Sequence, residues 1–188
     1  MSTDYNNTTS GRFALLARLN EILFHTQDLS NLWKIKQKNT LYTTLKRYAQ
    51  KGLLFRVYKG LYSIKPFNEI NFFLLGIKAL HQFSYVSTET VLAQTGIIQQ
   101  DIRYVTLLSS VSKKFSIQKY NYRSRKLADK FLFNNTGIKD TDGVPTASIE
   151  RAIADILYFN PRFYFDAKKD IDWKKVKEIQ KEIGYPLK

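Results

Sequence analysis

Cysteine is absent from the 188 residues, and histidine occurs only at His25 and His81. No disulfide can staple such a chain, and the usual zinc ligand sets cannot be assembled from it. Neither a metal site nor a cofactor is expected. Long apolar runs are lacking as well: the most apolar stretch, residues 70–80, is about half the roughly 20 residues that a membrane span needs. No apolar signal follows a basic start, so the chain reads as soluble and cytoplasmic with no membrane partner. Also missing are a His/Cys nucleophile pair, a phosphate-cradling glycine loop and an obvious metal-binding carboxylate cluster. The chain is therefore not expected to be an enzyme, and no residue stands out as catalytic. Asp140, Asp142, Glu150 and Asp155 are the only grouped acids on which a nuclease reading could rest.

Acidic residues are scarce relative to bases, 16 against 30, which leaves a net charge of +14. A field of that sign attracts polyanions and bears on partners rather than on fold. The excess is not spread evenly. Residues 1–65 hold 11 Lys and Arg against 3 acids, and residues 103–130 hold 8 against 1, whereas the rest of the chain nearly cancels. With 44% hydrophobic and 14% aromatic residues there is enough apolar material for packed cores, unlike a disordered chain. The length suits two small domains.

In the first basic region, Leu16, Leu19 and Leu23, supported by Leu15 and Ile22, recur at helical spacing and predict a first helix. Thr26 reads as the N-cap of a second helix that buries Leu29, Leu32 and Trp33. Asn39 is placed to cap a third helix, with Leu41, Leu45 and Tyr48 inward and Lys38, Thr40, Tyr42, Thr43, Lys46 and Arg47 left on other faces. Gly52 is a helix stop, and residues 53–58 and 61–64 read as two strands joined by a tight turn at Lys59-Gly60. That order of elements is how a winged helix reads. The outward residues of the third helix are the candidate reading surface: Thr40, Tyr42 and Thr43 for base edges, Lys46 and Arg47 for phosphates. Arg56, Tyr58 and Lys59 give the hairpin its charge and an aromatic surface against the flanking backbone.

Lys65-Pro66 interrupts the strand pattern and places a boundary near Pro66. Residues 70–82 predict a buried helix, 85–87 a short strand, and 88–95 a helix that Gly96 ends. Residues 103–110, 115–122 and 131–138 are rich in aromatic and β-branched residues and predict an antiparallel sheet. Ser148 is expected to cap a helix carrying Ile149, Ile153, Ile156 and Leu157, and a last helix places Trp173, Val176, Ile179 and Ile183 on one face before Gly184. The second basic region, Lys113, Lys114, Lys119, Arg123, Arg125 and Lys126, is interleaved with Tyr120 and Tyr122, which suits a nucleic-acid backbone or an acidic protein partner. Arg151 and Asp155 lie one helical turn apart and read as a structural ion pair rather than a catalytic one. Residues 1–10 are polar and aperiodic and read as a flexible arm.

The segments LARLNEILFHTQDLSNLW, NTLYTTLKRYAQKGLLFRVYKGLYSI, YVSTETVL and SIERAIADILYFNP together resemble the AbiEi family of antitoxins and transcriptional regulators. The resemblance implies an α+β fold, with a winged helix-turn-helix domain over residues 1–65 and a mixed α/β antitoxin-like domain over residues 66–188. It implies that the first domain binds inverted repeats in double-stranded DNA of its own promoter, two copies per operator, and represses it. The second domain would oppose a nucleotidyltransferase-like toxin. The leading expectation is a sequence-specific repressor; the alternative is a protein-interaction antitoxin in which DNA binding is secondary.

Overall fold

Asn20 adopts the left-handed backbone region, φ +52°, and there the first helix has already stopped. In the computed structural model, which describes residues 8–186, α1 spans Thr9–Arg18, and Thr8 caps it by accepting the Gly11 N–H at 3.0 Å. The expected continuation of this helix through Leu23 is corrected: Leu19 is 48% exposed, and Leu23–His25 forms a strand, β1. A left-handed residue cannot be carried inside an α-helix, so the apolar repeat at Ile22 and Leu23 belongs to a different element. Of the expected arm, residues 1–7 lie outside the described residues.

Two units make up the chain, the first ending at Asn71 and the second beginning at Phe72, so residues 66–71 go with the first. In the first unit α2, Thr26–Leu32, follows β1 directly. Its N-cap is His25, not Thr26 as the sequence led us to expect; the Asp28 carboxylate accepts the His25 N–H at 3.0 Å, and Thr26 instead donates its hydroxyl to the Gly60 carbonyl at 3.1 Å. The next helix, α3, runs Lys38–Gln50 with Gln37 as N-cap, which moves Asn39 into the first turn. It ends at Gly52, φ +67°, where the Leu53 N–H donates to the Tyr48 carbonyl and the Gly52 N–H to that of Ala49, a Schellman closure. Then come β2, Phe55–Tyr58, and β3, Leu61–Ser63. The three strands form an antiparallel sheet in the order β1-β3-β2, with Phe24 facing Tyr62 and Arg56 facing Tyr62 from the other side.

Leu16, Phe24, Leu29, Trp33, Leu41, Leu45, Tyr48 and Leu54 interlock as one core under these helices. Trp33 and Tyr48 pack ring to ring at 5.0 Å, and both send their polar atoms to α1, Trp33 Nε1 to the Arg12 carbonyl and the Tyr48 hydroxyl to that of Thr9. Buried aromatic residues that find such acceptors escape the penalty of an unpaired donor.

The second unit is built on a six-stranded sheet in the order β6-β7-β5-β4-β9-β8. Its elements are α4 Phe72–Leu80, β4 Ser84–Val86, α5 Glu89–Gln94, β5 Val105–Ser109, β6 Lys113–Ile117, β7 Tyr120–Lys126, α6 Asp129–Leu132, β8 Ile138–Thr141, β9 Val144–Ala147, α7 Ile149–Phe159 and α8 Trp173–Ile183. The sheet is mixed rather than antiparallel as expected: β5 runs parallel to β7, and β4 parallel to β9. The β6-β7 hairpin folds back so that β7 inserts beside β5, which makes that neighbour parallel. Residues 131–138, expected as a strand, instead hold the end of α6 and a loop, and the strands lie on either side of Asp142-Gly143. Both of those residues have positive φ, 53° and 77°, the conformation of a type I′ hairpin turn.

Helix α4 lies on the face of this sheet that carries Leu107 and Tyr122. Only a glycine fits at position 76 there, because a Cβ would collide with the Tyr122 ring. The Tyr122 hydroxyl donates to the Phe72 carbonyl at 2.8 Å, and Phe115 stacks on its ring at 5.0 Å. The opposite face, with Tyr85, Arg123 and Arg125, meets α5 and α7, and α8 packs on α7. Ser148 caps α7 by accepting the Arg151 N–H, and Gly184, φ +85°, ends α8.

Candidate nucleic-acid interface

Helix α3 turns Leu41, Leu45 and Tyr48 into the core, and the 3.6-residue repeat leaves the remaining faces outside. Lys38, Thr40, Tyr42, Thr43, Lys46 and Arg47 are all exposed, Tyr42 at 55%. Thr40 shares a hydrogen bond with the Gln37 side chain at 3.2 Å, and Thr44 donates to the Thr40 carbonyl, so the first turn is locally braced. A groove between α2 and α3 opens beside Lys38 and Tyr42, floored by Leu41 and flanked by Gln27, Asn31 and Lys36. Gln27 Nε2 donates to Asn31 Oδ1 at 3.1 Å along its edge. The rim thus offers amide groups and cations together, with the charge set by lysines.

On the hairpin, Arg56 and Lys59 are exposed and Tyr58 is half-buried. The ladder shifts between Arg56 and Tyr58, which places Tyr58 opposite Leu61, and the turn closes with Gly60 at φ +71°. Gly60 also accepts from the Thr26 N–H and hydroxyl, so the base of the hairpin is tied to the start of α2. Tyr62 connects the two parts of the candidate surface. It is buried, it faces Arg56 across the strands, and burial pushes its phenol above the ordinary range, with the Arg56 charge opposing and Tyr42 close enough to add to the rise. Arg56 of β2 stands opposite this buried ring across the ladder, and Tyr42 of α3 acts on its phenol electrostatically.

The second basic region does not form the single patch expected from sequence. Alternation along β7 sends Arg123 and Arg125 to the α5 side of the sheet, while Lys113 and Lys126 belong to the other side and Lys119 lies in the β6-β7 turn. Arg123 and Arg125 both pair with Glu89, at 3.0 and 3.4 Å, and the Arg125 guanidinium stacks on Phe159 at 3.8 Å. Burial pushes the Glu89 carboxyl up, but hydrogen bonds from Thr88 and from its own backbone N–H, with the two arginine charges, outweigh that and hold it below its ordinary value. Two of the six cations are thus neutralised in part by an acid that periodicity did not mark. Lys114 sits over Tyr104 at 5.6 Å, Lys113 over Phe115 and Lys119 over Tyr120, and these lysines with Lys126 are exposed.

Thr88, just before Glu89, is fully buried at φ +53° and ψ −131°, a region that costs a β-branched residue of order 1–3 kcal/mol. Its hydroxyl donates to Glu89 Oε2 at 2.6 Å. Ser87 donates to Asp155 at 2.7 Å, and Tyr85 and Tyr185 donate to the same carboxylate at 3.1 and 2.6 Å. Arg151 completes this network, and neither it nor Asp155 has any exposure. Asp155 is sealed from solvent, so the nuclease reading loses that acid, while Asp140 stands in β8 and Asp142 in the β8-β9 turn, and the Asp140 carboxylate accepts the Gly143 N–H. Among the described residues no three His, Asp or Glu side chains come together as a metal site, and no helix is long and apolar enough to cross a membrane.

No protein-family model matches the chain, and no curated protein does. Among solved structures, the crystal structure of the RV2827C protein from Mycobacterium tuberculosis is similar, with a TM-score of 0.52 and 13% identity over 97% of this chain and 72% of that one. At that identity the likeness concerns the fold alone.

Proposed function

We propose that the N-terminal unit is a winged helix that binds double-stranded DNA in a sequence-dependent way, and that the protein is a cytoplasmic transcriptional repressor of the AbiEi type acting on an inverted repeat in its own promoter. The observation that carries this reading is that Lys38, Thr40, Tyr42, Thr43, Lys46 and Arg47 of α3 are all exposed, as are Arg56 and Lys59 of a hairpin that Gly60 ties to the start of α2. A 13-residue helix with a polar and cationic face has the dimensions to enter the major groove. Lys38, Lys46 and Arg47 would neutralise phosphates, and Arg56 and Lys59 would do the same beside it. Tyr42 and Thr43, both exposed and about 100° apart around the helix axis, would meet base edges. Two copies on a two-fold operator follow from matching protein symmetry to DNA symmetry.

Fluorescence anisotropy with a labelled duplex from the upstream region of the gene and a scrambled duplex of equal composition tests this. At about 150 mM salt the upstream duplex should bind at least roughly tenfold more tightly. Equal affinity for both would remove the sequence-reading claim.

A second reading, an antitoxin whose C-terminal unit meets a nucleotidyltransferase-like toxin, is favoured by a separate observation. Phe83 and Phe133, 39% and 59% exposed, pack against each other at 5.4 Å and present an aromatic surface patch. Such patches mark protein contact sites. Coexpression with the product of the adjacent gene separates the two: growth rescue that survives loss of DNA binding but not Phe133→Asp assigns the second activity, and no rescue by the full chain rejects it.

A further inference from the structure

Between the end of α7, the loop 160–172 and α8 lies a pocket of about 580 Å³, within the range of small-ligand sites. Its walls are Tyr158, Phe163, Phe165 and Trp173, and the cations among its lining residues are Lys168 and Lys177, with no carboxylate among them. Tyr164, also in the lining, is 71% exposed. We propose that this pocket binds a small planar aromatic ligand carrying a negative group.

The loop that forms one wall is held in place before any ligand arrives. Asp166 accepts the Gln99 N–H at 2.8 Å, the Ala167 N–H donates to the Ile97 carbonyl at 3.2 Å, and Trp173 Nε1 donates to the Lys168 carbonyl at 3.4 Å. Phe165 meets Phe163 and Trp173 edge to face, at 5.1 and 5.9 Å, which fixes the ring orientations. A preformed slot of rings favours a flat ligand, because little side-chain freedom is lost on binding. Aromatic walls alone would also suit a quaternary ammonium, but two lysines in the lining repel a cation and attract an anion. Gln180, also in the lining, offers an amide to the edge of a heterocycle. The anion could be a phosphate or a carboxylate, and the ring system a nucleobase or an indole or phenyl group; the shared chemistry is a ring with one anionic arm.

The full chain is titrated with adenosine 5′-monophosphate and with indole-3-acetate, each beside its neutral counterpart, adenosine and indole-3-acetamide. Heat is the readout for both pairs, and Trp173 fluorescence is followed as well with the adenine pair, which does not fluoresce like indole. At least one anion should bind with Kd below about 1 mM, with its neutral counterpart roughly tenfold weaker. Lys168→Ala with Lys177→Ala should erase that difference, and Tyr164→Ala should weaken the anion several-fold. All three side chains are at the surface, so unchanged thermal melting shows that the variants fold. The fluorescence response to the nucleotide should vanish in Trp173→Phe while the heat remains. Binding of the nucleotide alone assigns a purine ring with a phosphate arm, and of indole-3-acetate alone an indole ring with a carboxylate arm. The proposal is overturned if neither anion binds, or if the lysine double variant binds the anion as the native chain does.

Discussion

Arg151 Nε donates to Asp155 Oδ1 over 2.9 Å, and neither side chain touches solvent. The remaining guanidinium hydrogens are all placed: Nη1 reaches the carbonyls of Asn134 and Thr136, and Nη2 reaches the Tyr85 hydroxyl and the Phe131 carbonyl. One arginine thus ties α7 to β4, to α6 and to the loop before β8. Arg151→Met should destabilise the fold by about 3–5 kcal/mol, because it leaves a buried carboxylate without its counter-charge, takes the guanidinium donor from the Asn134 and Thr136 carbonyls, and leaves the Phe131 carbonyl with the Asn134 N–H. In many proteins a buried pair can be exchanged for apolar residues with little loss, but here Arg151→Met with Asp155→Leu should remain destabilised by more than about 2 kcal/mol, since the orphaned carbonyls and the hydroxyls of Tyr85, Ser87 and Tyr185 persist. Urea denaturation of the single and double variants measures both.

Gly76 is the only residue type that fits beneath Tyr122. Helix propensity alone would make Gly76→Ala favourable by roughly 0.5–1 kcal/mol. The collision of the new methyl with a ring that is fully buried, stacked on Phe115 and anchored to the Phe72 carbonyl should outweigh this. A net loss of about 1–3 kcal/mol is expected, and thermal melting of the variant reads its sign directly. Tyr122→Leu in the same background should recover part of it by opening space for the methyl.

The carboxyl of Glu89 is held below its ordinary value. A group depressed in the folded state contributes stability that is complete above that value and is lost as pH falls through the lower folded one. Glu89→Gln should therefore melt at a lower temperature than the native chain at neutral pH. The two curves should converge as pH falls below the ordinary glutamate value of about 4.3. Parallel curves as pH falls would show that the hydrogen bonds from Thr88 and the backbone, with the Arg123 and Arg125 charges, do not hold the carboxyl low.

How far the sequence spoke for the fold follows from the kind of signal each element carries. The helices α2, α3, α7 and α8 were legible because each buries one stripe, such as Leu41, Leu45 and Tyr48, and ends on a backbone marker such as Gly52 or Gly184. Strand β1 was not, since three residues in register with Leu61, Tyr62 and Ser63 extend a helical repeat by accident of spacing. Nor was neighbour order in the second sheet: alternation tells which face a residue takes but not which strand lies beside it, so the parallel pairing of β5 with β7 was hidden. The β8-β9 hairpin carries a strong turn signal at Asp142-Gly143, but the aromatic run before it places the expected strand too early. The candidate interface was readable as an outward helix face. Glu89, the acid that draws Arg123 and Arg125 out of the second patch, was not, since a pairing across 34 and 36 residues leaves no local periodicity.

Lys46 and Thr43 are both exposed on α3, yet the proposed interface gives them different roles. A lysine on phosphate acts equally on every duplex. Lys46→Ala should weaken the upstream and scrambled duplexes by the same factor and lower the slope of log K against log salt by about 1. Thr43 carries no charge, so Thr43→Ala should leave that slope unchanged while shrinking the preference for the upstream duplex by roughly fivefold, about 1 kcal/mol. Arg56→Ala, on the hairpin opposite Tyr62, should behave like Lys46→Ala, because the proposed interface assigns this cation to the flanking phosphates. Anisotropy titrations of the three variants at four salt concentrations distinguish these patterns. If Thr43→Ala changes the slope, or Lys46→Ala changes only the preference, the assignment of α3 as the reading helix in this orientation is wrong.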